Sequence, residues 1–255
     1  MKKNILVVVN QKGGVGKTTT VLNLATALAF SRKKILVVDI DPQGNATTGA
    51  GFNKNQLEYT VYDALINDVD PRDIIVRSDR CKFDMLPANR HLAGAEIELV
   101  DIEKREFRLQ RILSQIQDDY DYILIDCPPS LSLLTINALS AASYVLVPIQ
   151  CEYYALEGLT DLLNTIKLLQ TKLNPALEIL GMVRTMFDKR NNLAVDVSSQ
   201  LVDYFGDKIF YASIPRTVRL AEAPSFGTSA VALDADSFGA QAYIRLGREV
   251  LKRLK

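Results

Sequence analysis

The sequence contains no tryptophan, one histidine and three cysteines among its 255 residues. The cysteines, Cys81, Cys127 and Cys151, form no CxxC pair and are odd in number, which disfavours a disulfide framework and a structural zinc site. A single histidine excludes a metal site built on two histidines, and no GxSxG segment accompanies His91 as part of a hydrolytic triad. We therefore expect the cysteines to be small buried residues in a reducing compartment, and the chain to be cytoplasmic.

The chain also lacks an excess of either charge, because 30 Lys and Arg residues balance 30 Asp and Glu residues. Bulk charge therefore cannot attract a polyanion, although a local basic patch could. No apolar run approaches the ~18 residues of a membrane span, and the run at residues 5–9 is too short for the core of a signal peptide. The apolar share of 48% excludes a disordered chain and supplies a core.

Short apolar runs alternate with segments of helical spacing. Five nearly continuous runs are typical of strands that are covered on both faces, at residues 5–9, 35–38, 122–125, 144–147 and 179–183. Helical spacing of apolar residues predicts helices at residues 18–29, 107–116 and 156–169. The alternation predicts a doubly wound α/β fold, with a mostly parallel sheet flanked by helices, in a single domain of residues 1–255. Ligands of such folds bind beyond the carboxyl ends of the strands.

The loop after the first predicted strand is the most informative segment. Residues 10–19 (NQKGGVGKTT) follow a strand and open a helix, as a nucleotide phosphate loop requires. Glycines let successive backbone N–H groups face a phosphate, and the helix N-terminus adds the positive end of its dipole. Lys17 can place its charge on the β- and γ-phosphates, and the Thr18 hydroxyl can ligate Mg²⁺. The residues expected to bind the nucleotide here are Lys12, Gly13, Gly14, Val15, Gly16, Lys17, Thr18 and Thr19.

This loop departs from two familiar nucleotide-binding patterns. Gln11 occupies the place of the first glycine in the phosphate-loop pattern GxxxxGK[ST]. Thr19 occupies the place of the third glycine in GxGxxG, and this second departure argues against a dinucleotide dehydrogenase. The loop carries instead a second lysine, Lys12, directly before its glycines. Lys12 is either a solvated loop charge or a second cation for the phosphates.

Two further predicted strands end in carboxylates. Residues 39–45 (DIDPQGN) follow the second run, and the two-residue period of a strand would place Asp39 and Asp41 on the same side, near the crevice. Asp126 ends the third run in a Walker B arrangement, where it can hold Mg²⁺ opposite Thr18. A strand-terminal aspartate can also simply cap a turn.

The segments KGGVGKTT, DIDPQGN and DCPPS together resemble the ParA/MinD family of ATPases, which share a deviant Walker A motif, and point to its ParA/Soj chromosome- and plasmid-partition branch. By this resemblance, Lys12 would reach across a dimer interface to the nucleotide held by the partner subunit. Asp41 would orient the attacking water, and Asp39 would lie near the Mg²⁺ shell. The resemblance thus implies a catalytic set of Lys12, Lys17 and Asp41 and a metal set of Thr18, Asp126 and Asp39.

The second half of the chain is informative mainly through the same resemblance. Residues 214–224 (IPRTVRLAEAP) resemble a block of the family whose first residues border the adenine, which implies that Pro215 and Thr217 contact the adenine. Thr217 stands where the family usually has asparagine. Arg190 and Arg219, with Lys189 as a weaker addition, match positions that bind DNA non-specifically in the Soj branch. Such binding needs only phosphate contacts.

The resemblance implies an ATP-hydrolysing DNA-partition switch. An ATP-bound sandwich homodimer would bind non-specific DNA, and a ParB-like centromere-binding protein would stimulate hydrolysis and release it, with Mg²⁺ as cofactor and a nucleoid-associated location. The alternative is a MinD-like membrane-surface ATPase, since residues 240–255 form a basic amphipathic stretch. We expect that stretch to be a core helix. A relative of nitrogenase iron protein is disfavoured because Cys127 lies too early for a cluster ligand.

Overall fold

The five apolar runs form strands of one eight-stranded sheet. A computed structural model describes residues 4–255. The strands are, in chain order, β1 (Ile5–Val8), β2 (Ile35–Asp39), β3 (Val76–Ser78), β4 (Phe83–Leu86), β5 (Tyr122–Asp126), β6 (Tyr144–Gln150), β7 (Glu178–Thr185) and β8 (Ile209–Ser213). They lie side by side in the order β3-β4-β2-β5-β1-β6-β7-β8. Every neighbouring pair is parallel except β3 with β4, which confirms the predicted mostly parallel sheet.

Twelve α-helices accompany these strands within residues 4–255. They are α1 (Lys17–Phe30), α2 (Asn45–Gly49), α3 (Val61–Ile66), α4 (Pro71–Ile74), α5 (Leu92–Glu98), α6 (Arg108–Ser114), α7 (Leu133–Ala141), α8 (Ala155–Lys172), α9 (Asn192–Phe205), α10 (Val218–Glu222), α11 (Ala230–Leu233) and α12 (Phe238–Arg253). The predicted helices at 18–29, 107–116 and 156–169 correspond to α1, α6 and α8. The strands β3, β4 and β8 lie outside the predicted runs, because half-buried or exposed residues interrupt their apolar pattern.

Alternate residues of the central strands face two separate cores. In β1, Ile5 and Val7 pack with α3 and α5 to α9 on one face, whereas Leu6 and Val8 pack with α1 and α10 to α12 on the other. All four side chains are almost fully buried. Burial on both faces explains why these strands are continuous apolar runs rather than alternating ones.

The C-terminal amphipathic stretch forms α12 and packs on the sheet. Its apolar residues Tyr243, Leu246 and Val250 are buried, and the Tyr243 hydroxyl lies 3.1 Å from that of Thr20 on α1. Since the apolar face is already covered, α12 is the core helix that we expected. Within residues 4–255, no helix combines the length and apolar character that crossing a membrane requires.

Candidate active site

The phosphate loop joins the carboxyl end of β1 to α1, beside the ends of β2 and β5. Gly14 and Gly16 have positive φ values of 76° and 85°, which a residue with a Cβ adopts only at a cost. A Cβ on Gly13 or Gly14 would meet no atom within 4 Å, so there is open space along the loop. Helix α1 begins at Lys17 with no side-chain cap and no acidic residue in its first turn. Its first N–H groups therefore lack a side-chain acceptor and favour an anion.

The Lys17 ammonium lies inside this loop. Lys17 is almost fully buried, and its Nζ donates to the Lys12 carbonyl at 3.1 Å. Burial lowers the pKa of Lys17, while the nearby carboxylates of Asp126 and Asp41 oppose this shift. The phosphate loop thus folds around the Lys17 side chain, whose ammonium group reaches back to the start of the loop at Lys12.

Thr18 and Asp126 meet at the adjoining ends of α1 and β5. The Thr18 hydroxyl donates to Asp126 Oδ2 at 2.7 Å, whereas the buried Oδ1 of the same carboxylate has no hydrogen-bond partner. Burial, followed by repulsion from Asp39, raises the pKa of Asp126 well above its usual range. A hydroxyl beside an unpartnered buried carboxylate oxygen is a fitting donor set for Mg²⁺, a hard cation that prefers oxygen ligands.

Asp39 and Asp41 have different surroundings. Asp39 Oδ2 accepts hydrogen bonds from the Thr47 backbone N–H and hydroxyl, both at 2.8 Å, and Oδ1 accepts from the Asp41 N–H at 3.1 Å. Burial raises the pKa of Asp39 to about 6. Both oxygens of Asp39 therefore already hold the segment that leads to α2, and the geometry favours Asp126 over Asp39 as a metal ligand.

Strand β2 ends at Asp39, so the two-residue period expected to relate Asp39 to Asp41 does not continue to Asp41. Asp41 lies instead in the loop before α2, and its Oδ1 accepts from the Gln43 N–H at 2.9 Å. The loop still brings Asp41 close enough to Lys17 and Asp126 to affect their pKa values. Asp41 thus lies beside the phosphate loop, as its position in the sequence predicts.

Lys12 points away from the loop interior. Its side chain is 48% exposed and forms an ion pair with Glu152, which follows β6 and is 47% exposed. Its backbone N–H donates to Asn10 Oδ1 at 3.0 Å, and Asn10 in turn donates to the Pro148 carbonyl at 2.8 Å. The lysine head group is therefore presented at the surface, held by a partner that the sequence did not indicate.

A pocket of about 180 Å³ adjoins the phosphate loop. It contains both predicted adenine contacts, Pro215 and Thr217, together with Thr19. The Thr217 hydroxyl caps α10 by accepting the Leu220 N–H at 3.4 Å. The remaining residues that line the pocket are Gly16, Thr185, Met186, Ile214, Arg216, Leu220, Ala221 and Tyr243.

Thr185, at the end of β7, is a site residue that sequence reasoning missed. Its hydroxyl donates to the Val15 carbonyl in the phosphate loop at 2.8 Å, and the residue is buried. No local pattern signals this contact, because the two residues lie 170 positions apart.

The predicted DNA-binding residues follow β7 and β8: Lys189 and Arg190 lie in a turn after β7, and Arg219 lies on α10 after β8. Arg190 is 90% exposed and forms a two-pronged ion pair with Asp188. Arg219 forms ion pairs with Glu222 at 2.6 Å and Asp234 at 3.5 Å. Lys189 is exposed. The two arginines thus have carboxylate partners that a bound phosphate would have to replace.

Comparisons with known proteins agree with this geometry. A family model described as an AAA domain matches residues 3–179. The sporulation initiation inhibitor protein Soj of Bacillus subtilis is 53% identical over 246 residues, covering 96% of this chain and 97% of that protein. The chromosome partitioning protein ParA of Myxococcus xanthus is 49% identical over 249 residues, covering 98% of this chain and 88% of that protein.

A solved structure shows the same architecture with nucleotide bound. Cobyrinic acid a,c-diamide synthase from Mycobacterium smegmatis, crystallised with an ATP analogue and magnesium, is 38% identical with a TM-score of 0.86. The match covers 98% of this chain and 95% of that one. Given the near full-length identity to Soj and ParA and the phosphate loop at the end of β1, the chain belongs to the ParA/Soj family of partition ATPases and is an ATPase of the P-loop class.

Proposed function

We propose that this chain is an ATP-hydrolysing DNA-partition switch. Its ATP-bound homodimer binds DNA without sequence preference, and hydrolysis stimulated by a ParB-like centromere-binding protein releases the DNA. The observation that carries the proposal is the Thr18–Asp126 pair, whose unpartnered carboxylate oxygen lies beside the buried Lys17 and the phosphate loop. This arrangement supports binding of a nucleoside triphosphate with its metal.

The phosphate-binding roles follow from the local geometry. The N–H groups of residues 13–19 and the Lys17 ammonium bind the phosphate oxygens, and Thr18 and Asp126 would hold Mg²⁺. Bound Mg²⁺ would supply positive charge that neutralises the phosphates and helps to orient them. Pro215 and Thr217 line the adjoining pocket, where they contact the adenine. These residues place the γ-phosphate near the loop that contains Asp41.

Two charged residues carry the hydrolytic step. Asp41, whose Oδ1 is fixed by the Gln43 N–H, orients the attacking water. Lys12 leaves Glu152 and contacts the nucleotide of the partner subunit, where a cation supplied in trans stabilises charge that develops in the transition state. An exposed ion pair contributes only about 0–1 kcal/mol, so the exchange of partners costs little. Hydrolysis is thereby coupled to dimerisation.

Arg190, Lys189 and Arg219 supply the DNA contacts. They are exposed on the segments that follow neighbouring strands, and contacts to the phosphate backbone need no base readout. Their carboxylate partners Asp188, Glu222 and Asp234 reduce the net charge of this surface. Binding is therefore expected to require the two copies that an ATP-bound dimer brings together, and to weaken steeply with salt.

The DNA proposal is tested with Arg190→Glu and the control Arg111→Glu, which changes an exposed arginine of α6, outside the segments that follow β7 and β8. Binding of a duplex is followed by fluorescence anisotropy with ATP, with ADP and without nucleotide. We expect wild type and the control to bind DNA only with ATP, and Arg190→Glu to lose binding but keep ATP-dependent dimerisation by light scattering. Removal of a single phosphate-binding side chain should flatten the log–log dependence of DNA affinity on salt by roughly one unit of slope.

Two outcomes would contradict the proposal. ATP-dependent binding to anionic liposomes, with no DNA binding, would favour the MinD-like alternative. DNA binding by Arg190→Glu at the wild-type level would remove this surface from the proposal. We propose further that residues 1–255 form one ATPase domain, which acts in the cytoplasm in association with the nucleoid.

A further inference from the structure

Met186 has an unusual backbone conformation beside the nucleotide pocket. It follows β7 directly and has a φ of 50°, in the left-handed region that a long side chain rarely adopts. Among residues 4–255, the other non-glycine residues with positive φ are Arg32, Asp68, Lys82 and Lys104. None of these four lines the pocket. Such backbone strain persists only where the surroundings impose it, and it clusters at functional sites.

Both neighbours of Met186 fix this conformation. The Thr185 hydroxyl donates to the Val15 carbonyl in the phosphate loop at 2.8 Å. The Phe187 N–H donates to the Ile214 carbonyl at 3.0 Å, directly before Pro215. The two hydrogen bonds tie the chain on either side of Met186 to the two walls of the pocket, so Met186 is held between them.

The Met186 side chain does not belong to either hydrophobic core. Neither core cluster of the described residues includes it, and it is only partly buried. It does line the pocket, together with apolar residues such as Ile214, Pro215 and Leu220. A methionine with a strained backbone and no place in the core has no evident stabilising role. Like Thr185 before it, Met186 lines the pocket.

We infer that Met186 supplies an apolar surface for the nucleobase of the bound nucleotide and so contributes to nucleotide affinity. A polarizable thioether makes favourable contacts with a flat aromatic ring. The left-handed backbone keeps this side chain at the pocket rather than in the core. The inference rests on the proposed assignment of this pocket to adenine, and it assigns to Met186 a share of nucleotide affinity that the phosphate loop does not provide.

The test compares two ligands, Mg·ATP and Mg·tripolyphosphate, by isothermal titration calorimetry. Tripolyphosphate occupies the phosphate loop but has no base. Met186→Gly should weaken ATP binding about three- to tenfold and leave tripolyphosphate binding unchanged. Because glycine relieves the strained φ, the melting temperature should not fall. Met186→Leu, which keeps an apolar side chain, should retain ATP binding to within about threefold.

Lys82→Gly is the matched control. Lys82 has a φ of 62° and is exposed outside the pocket, so its substitution relieves similar strain without changing the affinity for either ligand. Equal weakening of ATP and tripolyphosphate in Met186→Gly would overturn the inference, because it would indicate a distorted phosphate loop. Unchanged ATP binding would also overturn it. Equal affinity of the wild type for the two ligands would instead contradict the assignment of the pocket to adenine.

Discussion

At the scale of single residues, the site concentrates negative charge where water is excluded. Asp39 and Asp126 are both fully buried and end adjacent strands in direct register, and repulsion from Asp39 adds to burial in raising the pKa of Asp126. Only Asp39 has both oxygens hydrogen-bonded, while Asp126 keeps one oxygen without a partner. Without nucleotide, the folded chain therefore holds two buried carboxyl groups close together, which is energetically unfavourable. A bound cation would reduce this cost.

This arrangement predicts a pH effect on stability. Burial raises the pKa of Asp39 to about 6, so in the folded chain its proton is bound more tightly than in the unfolded one. The protonated Asp39 therefore stabilises the folded chain fully at pH values below about 4, the pKa of aspartate in the unfolded chain. This stabilisation is lost as the pH rises through about 6. Without nucleotide, the contribution of Asp39 to the free energy of unfolding should fall over that interval.

Asp126→Asn should raise the stability of the nucleotide-free chain at pH 7.5, by roughly 2–4 °C in melting temperature. The substitution removes a carboxyl group whose ionisation is disfavoured by burial and by Asp39, so the stability should also vary less between pH 4.5 and 7.5. The same variant should lose Mg²⁺-dependent ATP binding. Thermal scans across this pH range check the first effect and calorimetry the second, and a destabilised Asp126→Asn at pH 7.5 would contradict the argument.

Asp41→Ala should separate binding from hydrolysis. If Asp41 orients the attacking water, turnover falls by about 10²-fold or more, whereas ATP-dependent dimerisation is retained because Asp41 contributes none of the phosphate-binding groups. Phosphate release and light scattering measure the two properties. Asp101→Ala, at an exposed position away from the phosphate loop, is the control. Unchanged turnover in Asp41→Ala would remove this residue from the mechanism.

At the scale of elements, the end of β7 acts as a support for the phosphate loop. Thr185→Val keeps the shape of the side chain but leaves the Val15 carbonyl without its donor. We expect ATP and tripolyphosphate to bind about 2- to 12-fold more weakly, since a typical hydrogen bond of this kind contributes roughly 0.5–1.5 kcal/mol. Both ligands should be affected, in contrast to Met186→Gly, because the loop itself is disturbed.

The control for this variant is Thr171→Val on α8. The Thr171 hydroxyl donates to the Lys167 carbonyl at 2.9 Å within an exposed stretch of helix, so the same chemical change occurs far from the nucleotide. Binding of both ligands should match the wild type. Wild-type affinity in Thr185→Val would show that the loop keeps its shape without β7.

At the scale of the whole molecule, we propose that the exposed Lys12 links nucleotide state to self-association. Lys12→Ala should bind Mg·ATP in the monomer but lose stimulated turnover, because the cation that would act on the partner's nucleotide is absent. Lys34→Ala, a change at another exposed lysine, is the control. Light scattering and phosphate release with ATP check the prediction, and unchanged turnover in Lys12→Ala would leave the chain as a simple nucleotide binder.

The amino-acid order alone determined the parts of the site that lie within one short segment. A strand, a glycine-rich loop and a helix in sequence specify the phosphate loop, because local conformation and helix direction follow from neighbouring residues. The continuous apolar runs likewise specify central strands that are buried on both faces. Asp126 and Asp41 could be placed beside the phosphate loop because they lie at or just after the ends of such strands.

Only the tertiary structure decided which of these groups meet and which already have partners. The contacts Thr185–Val15, Lys12–Glu152 and Thr18–Asp126 join residues more than 100 positions apart, and no local pattern encodes them. The structure likewise reveals that both oxygens of Asp39 are engaged and that Met186 is strained at the pocket. Side-chain partners depend on packing distances and desolvation, which exist only once the sheet has assembled.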